Sequence, residues 1–263
     1  MKKVVFIGYG AMAQAVIEKL PASIQLHAVV VLPSAIADTE KQVPAGTRVY
    51  KDISEIEEKP DLVVEMAGPA GLKAHGFNVL ERGWPLAVIS VGALTDDDLA
   101  ESLRSTAEKN QTKIHLLAGA IAGVDGISAA KTLGLDQVLY QGRKHPKSWK
   151  GSYAEEVVNL DELTEATVFF KGSARDAARL FPANANVAAT IGLAGIGMDN
   201  TKVELIADPE MQRNKHTIYA KGGFGEMRIE MQGVALANNP KTSTLAALSV
   251  VRACQQLDEA FVI

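Results

Sequence analysis

Cysteine is almost missing from this chain: its 263 residues contain one, Cys254. A single thiol excludes an intrachain disulfide, and without a cysteine cluster no zinc or iron–sulfur framework, and hence no metal site, is expected. A reducing, cytoplasmic compartment fits that usage. Long apolar runs are also lacking, none approaching the roughly 18 residues a membrane helix needs. Lys2 and Lys3 ahead of Val4–Ile7 resemble the start of a signal peptide, yet the run breaks at Gly8 and continues through Gln14, Glu18 and Lys19. It reads as a buried strand. Basic blocks are absent too, and the formal net charge is −4, which argues against nucleic-acid or membrane partners. The expected ligand is small.

What is present is an aliphatic, soluble-type composition, 47% hydrophobic and 22% charged with only 5% aromatic residues, enough for two lobes. The first twenty residues are the most informative. The apolar run Val4–Ile7 enters Gly8-Tyr9-Gly10-Ala11-Met12-Ala13, and a Met12/Val16/Leu20 helical stripe follows. Strand, glycine turn and helix in that order make a dinucleotide site. Gly8 permits the tight turn, Gly10 lets backbone approach a pyrophosphate, and Ala13 is small enough for helix to pack on strand. Ala11 and Met12 open the helix whose first N–H groups would face the phosphates.

Strand patterns at 4–8, 26–32, 48–50, 62–66, 86–91 and 113–117 alternate with helical patterns at 11–20, 54–57, 71–82 and 96–109, the last with Thr95 and Asp98 spaced as a capping box. This is an α/β chain with a doubly wound parallel sheet. Ligands of such sheets lie beyond the carboxyl ends of the strands, where this chain is small and glycine-rich, as at Ala67-Gly68. From about Gly123 strict alternation takes over, as in Met227/Ile229/Met231 and Val203/Leu205. The second lobe is therefore expected to be an α+β domain with a mixed or antiparallel sheet. It holds a helix from Ala174 to about 181, opened by Ser173 with Asp176. The expected division is residues 1–122 for the nucleotide domain, with the last helix in 241–263 packing back on it, and 123–240 for the second domain.

Candidate chemistry centres on histidine. His27 and His115 fall inside strand patterns and read as structural, while His75 and His145 sit in polar contexts. His216 stands where a polar connection enters the strand pattern 216–221, a rim position fixed by a sheet, and its reference pKa near 6.5 suits proton transfer. A surface histidine at a strand end is the alternative. Asn184 and Asn186 can orient a carboxylate or carboxamide, or merely form a turn or cap a helix. The segment 143–149 concentrates cations, and Arg143 or Lys144 can hold a substrate carboxylate; a solvated basic loop is the equal alternative. No zinc helix, nucleophile elbow or phosphate loop is present in the sequence.

Several strings taken together resemble the L-aspartate dehydrogenase family: Gly8-Tyr9-Gly10-Ala11-Met12-Ala13, Val91-Gly92-Ala93-Leu94, the run from Ala118 to Gly126, Arg143-Lys144 with Trp149, the run from Phe181 to Ala188, and Asp208-Pro209 with Asn214-Lys215-His216. They occur in family order across nearly the whole chain. The resemblance implies a Rossmann domain, a second domain carrying catalysis and oligomer contacts, and oxidation of L-aspartate by NAD or NADP. The product would be iminoaspartate, hydrolysed to oxaloacetate and ammonia, with a role in NAD biosynthesis and a homodimer as the expected assembly. It further implies Ala120 and Asn186 as cofactor contacts and His216 as the active-site residue, with Asn214 joining the substrate candidates.

The end of the second strand departs from the simple dinucleotide pattern. Residues 30–35 carry no acid for a ribose 2′-hydroxyl, the first being Asp38, and no arginine for a 2′-phosphate. Use of both cofactors is expected. The rival readings are a two-domain reductase of the dihydrodipicolinate reductase or homoserine dehydrogenase type, and a non-catalytic NAD(H)-binding regulator.

Overall fold

The computed structural model describes residues 1–262, those at 183, 240 and 241 by backbone alone. The chain divides into two compact units. Unit 1 holds Met1–Gly119, Leu236–Thr242 and the segment from Ala246 onward; unit 2 holds Ala120–Ala235 and Ser243–Leu245.

Continuous apolar runs build unit 1. Its strands are β1 (Lys2–Ile7), β2 (Ile24–Val30), β3 (Arg48–Tyr50), β4 (Leu62–Glu65), β5 (Leu86–Val88) and β6 (Ile114–Leu116), in the order β3-β2-β1-β4-β5-β6. Every pairing is parallel. That is the Rossmann order, with the crevice where the winding reverses between β1 and β4. Helices α1 (Ala11–Ile17), α2 (Ile36–Glu40), α3 (Gly68–Glu81) and α4 (Asp97–Lys109) connect the strands. Two local expectations need correction. Residues 53–55 form a single 3₁₀ turn rather than an α-helix, and α4 is capped by Asp96, whose carboxylate accepts from Leu99 N at 3.2 Å. Thr95 instead donates its hydroxyl to Gly92 O, because the chain there is still turning through a 3₁₀ segment, Val91–Thr95.

Unit 2 contains α5 (Val124–Ala130), β7 (Leu135–Lys144), α6 (Ala154–Val157), β8 (Thr167–Ser173), α7 (Ala174–Leu180), α8 (Ala185–Ala194), β9 (Lys202–Ala207), β10 (Asn214–Gly222) and β11 (Gly225–Gly233). Its sheet runs β11-β10-β7-β9-β8. All neighbours are antiparallel except β7 and β9, so the sheet is mixed. Helix α7 begins with the expected reciprocal box between Ser173 and Asp176. Two short strands, β12 (Ala235–Leu236) and β13 (Asn239–Ser243), precede the last helix, α9 (Thr244–Gln255).

Ala247, Val250, Val251 and Cys254 of α9 share one buried cluster with Val4, Phe6, Ala13, Val16, Val29 and Val64 of unit 1. The lone cysteine is thus core material, and burial pushes its thiol up to about 12, far from a reactive thiolate.

Candidate active site

The turn after β1 in unit 1 is shaped by what a side chain would hit. Gly8 has φ +97°, a left-handed conformation, and a Cβ there would lie 3.0 Å from both Ala67 Cβ and Met66 O. Its N–H is held by Val30 O at 2.8 Å. At Gly10, the N-cap of α1, an added Cβ would meet nothing within 4 Å, and no side chain caps this helix end. The first turn carries no acid. Ala13 is fully buried, seating the helix on the sheet. An open, uncapped, acid-free turn of this kind fits a pyrophosphate.

Ala67 and Gly68 form the next turn, where the sequence reading missed a residue. Glu65, the last residue of β4, is fully buried. Its carboxylate accepts from Ala67 N at 2.8 Å, from Ser90 N at 3.2 Å and from Ser90 Oγ at 3.0 Å. It ties the Ala67-Gly68 turn to the end of β5. Burial raises its carboxyl above the usual range, and the hydrogen bonds oppose that shift. The available signal was one acid closing the apolar run Leu62-Val63-Val64. Beyond β2, Leu32 is 75% exposed and Asp38 is paired with Lys41 at 3.1 Å.

In unit 2 several candidate side chains share one face of the sheet. Alternation along β7 places Tyr140, Gly142 and Lys144 on the same side, and the register opposes Gly142 to His216 and Tyr140 to Ile218. Tyr140 Oη and His216 Nδ1 are 2.9 Å apart and buried. Gly142 makes this contact possible, since a Cβ there would sit 2.8 Å from Tyr140 Oη. Burial raises the Tyr140 phenol well above its ordinary value, so it stays protonated.

His216 therefore differs from the expected rim residue. It is the third residue of a strand that begins at Asn214, and it is 8% exposed. Burial, followed by the charge of Lys144, lowers its pKa to about 4, so at neutral pH the ring is uncharged. Nδ1 is engaged by Tyr140, and no partner for Nε2 is found among the described residues.

The expected basic loop also needs correction, because Arg143 and Lys144 are the last two residues of β7 and point to opposite faces. Arg143 pairs with the largely buried Asp208 at 3.0 Å, away from His216. Lys144 lies on the His216 face, donates to Asn184 Oδ1, and holds its ammonium 4.9 Å from the centre of the Trp149 ring. Burial there lowers its pKa to about 8. Trp149 is buried and contacts Phe169 and Phe181 edge to face. Asn184 occupies the N-cap of α8 without capping it with its side chain. Asn186 is exposed in the first turn of α8 and Ala120 opens unit 2. Asn214 begins β10 on the same face as His216.

The other four histidines have other surroundings: His27 lies 3.7 Å from Glu58, His75 lies 3.7 Å from Asp52, His145 accepts from Lys147 N, and His115 lies in β6. No group of three or more metal-ligating side chains is found among the described residues. No helix among them is long and apolar enough to cross a membrane.

A glycine turn at the first strand of a Rossmann-ordered parallel sheet, together with a mixed-sheet unit that sets a partly buried lysine on the same face as a buried, neutral histidine, defines a two-unit dinucleotide-dependent oxidoreductase. Residues 8–117 match the family model "Homoserine dehydrogenase, NAD binding domain", and residues 125–257 match "Aspartate dehydrogenase, C-terminal". The chain is 57% identical over 260 residues to an L-aspartate dehydrogenase of Acinetobacter baumannii, covering 99% of each. It is 52% identical over 259 residues to that of Psychrobacter cryohalolentis, covering 98% of each. The crystal structure of aspartate dehydrogenase from Thermotoga maritima superposes with a TM-score of 0.80 at 25% identity, over 100% of this chain and 99% of that one. The chain belongs to the L-aspartate dehydrogenase family.

Proposed function

We propose that this protein oxidises L-aspartate to iminoaspartate, which water converts to oxaloacetate and ammonia, and that His216 contacts the substrate. The observation that carries the reading is the face shared by the buried His216 and Tyr140 and the partly buried Lys144 and Asn214, inside the segment that matches the aspartate dehydrogenase model. NAD or NADP supplies the hydride acceptor when bound. Gly8, Gly10, Ala11, Met12 and Ala13 supply backbone and small side chains for its pyrophosphate; Ala67 and Gly68, fixed by Glu65, are assigned to the same cofactor, as are Ala120 and Asn186.

Three jobs then fall to the chain's own residues. The substrate carboxylates need donors, the substrate ammonium must lose a proton before hydride leaves Cα, and water must be directed at the imine. His216 Nε2, Lys144 and Asn214 are the groups assigned to them, with Asn184 holding Lys144 in place. Arg143 is not assigned to the substrate, since Asp208 engages it on the opposite face.

A second copy of the chain is the expected partner, as a homodimer. The sheet face away from His216 mixes Leu139 of β7 and Tyr219 of β10 with Gln137, Gln141, Lys221 and, from β11, Arg228 around a hollow of about 610 Å³. Such a half-apolar sheet face suits covering by another copy. The single buried thiol suits a reducing cytoplasmic setting. A supply of iminoaspartate to NAD biosynthesis is the role this product would serve.

The test is direct. Purified protein is mixed with L-aspartate and either NAD or NADP, and absorbance of the reduced nicotinamide is followed, with L-glutamate, L-alanine and L-homoserine as controls. Reduction with aspartate alone is expected, with both cofactors accepted and a preference below about a hundredfold, because nothing at the end of β2 repels or grips a 2′-phosphate. Silence with aspartate alongside cofactor binding would favour the regulator reading; a preference beyond a hundredfold would refute the argument from β2.

A further inference from the structure

The proton leaving the substrate ammonium needs an acceptor, and His216 is poorly suited to be one. An aliphatic ammonium holds its proton to about pH 8–10, while the buried ring of His216 accepts one only near pH 4. Geometry gives a second reason. Among the described residues, the one polar contact of the buried Tyr140 hydroxyl is His216 Nδ1. If Nδ1 carried the ring proton, the phenol hydrogen would be buried without an acceptor, which is costly. The phenol therefore donates to Nδ1, and the ring proton resides on Nε2. His216 faces the substrate as a hydrogen-bond donor.

Lys144 stands on the same sheet face, one alternation beyond Gly142, which opposes His216. Its side chain is fixed at two points, by Asn184 Oδ1 and by the Trp149 ring. Asn184 sits at the N-cap of α8, yet its side chain makes no cap hydrogen bond. A cap of that kind is stabilising, and the amide instead holds the lysine. The titratable groups on the sheet face around Lys144 are His216 of β10 and Tyr140 of β7, both neutral near pH 8. Its other two neighbours, Asn184 and Trp149, do not titrate. No carboxylate pairs with the Lys144 ammonium among the described residues, and burial, beside the Trp149 ring, brings it to about 8.

Resting on the reading of the chain as an aspartate dehydrogenase, we propose that Lys144 is the proton acceptor of the reaction and that His216, locked by Tyr140, is a donor to the substrate. The neutral Lys144 amine takes one proton from the substrate ammonium; that N–H bond breaks and its electron pair remains on the substrate nitrogen. As the Cα–H bond then breaks and its electron pair departs as hydride to the cofactor, the nitrogen lone pair closes the C=N bond. Lys144 ends protonated and returns its proton to solvent between turnovers. Asn184 Oδ1 accepts an N–H from either charge state of the lysine, so the side chain stays placed throughout.

Turnover of L-aspartate is compared for the wild-type chain, Lys144→Met and Lys144→Arg, each checked for an unchanged melting temperature, with pH profiles of kcat/KM. Wild type is expected to rise with pH through about 8, since the base must be deprotonated. Both variants should lose that rise and lose about 100-fold or more in kcat at pH 8. Added methylamine or ethylamine should restore at least tenfold to Lys144→Met and nothing to Lys144→Arg. An inactive wild type would refute the family-based reading itself. An active wild type with a Lys144→Met loss below about threefold, an unchanged pH rise, or a loss that amines do not repair would overturn the lysine assignment alone.

Discussion

The two sheets of this protein bury ionisable groups in opposite ways. In the parallel sheet, Glu65 is buried with its carboxylate saturated by Ala67 N, Ser90 N and Ser90 Oγ. In the mixed sheet, the buried His216 and the partly buried Lys144 have far fewer partners: one phenol for the ring, one amide oxygen and a ring face for the ammonium. A saturated group has nothing left to offer a ligand, and its contribution is to fix loops. An undersatisfied group in a dry site has shifted protonation and free valence, which are what proton transfer requires. Burial alone does not mark a reactive residue; burial with unfilled hydrogen-bonding capacity does.

Removing the saturated group should have the largest effect on stability. Glu65→Ala strands Ser90 N and Ala67 N beneath the sheet edge, and urea unfolding should show a loss of about 3 kcal/mol together with weaker cofactor binding. A loss below about 0.5 kcal/mol would break the contrast, because Glu65 would then not be holding its loops. Arg143→Ala should do least. Its pair with Asp208 joins a partly exposed guanidinium to a largely buried carboxylate, so the loss should be about 1–2 kcal/mol, and KM for aspartate should stay within twofold. A tenfold rise in KM would put Arg143 in contact with substrate and blur the distinction between the two faces of β7.

The same contrast explains which parts were readable in the sequence. Continuous apolar runs and the Gly8–Gly10 turn announced the parallel sheet, since a strand buried on both faces leaves no alternation to misread. The Ser173–Asp176 cap was legible because both partners are three residues apart. Strand β7 was hidden: the cations from Arg143 to Lys147 suggest a loop, although Val138, Tyr140 and Gly142 alternate on a buried face before them. Tyr140 therefore went unnoticed as the partner of His216, a contact spanning 76 residues that no local pattern encodes. His216 was legible as a candidate and misplaced in environment, because its exposure depends on strands distant in sequence. Glu65 was passed over for the same reason, its partner Ser90 lying 25 residues away.

The central claim is that the buried polar face of the mixed sheet carries the chemistry while the glycine turn of the parallel sheet carries the cofactor. His216→Ala tests it most directly, with kcat for L-aspartate and the dissociation constant of the cofactor measured on the same preparation. The account predicts a fall in kcat of about 10² or more with cofactor affinity changed less than twofold. Unchanged turnover, or a loss that appears wholly in cofactor binding, would contradict it.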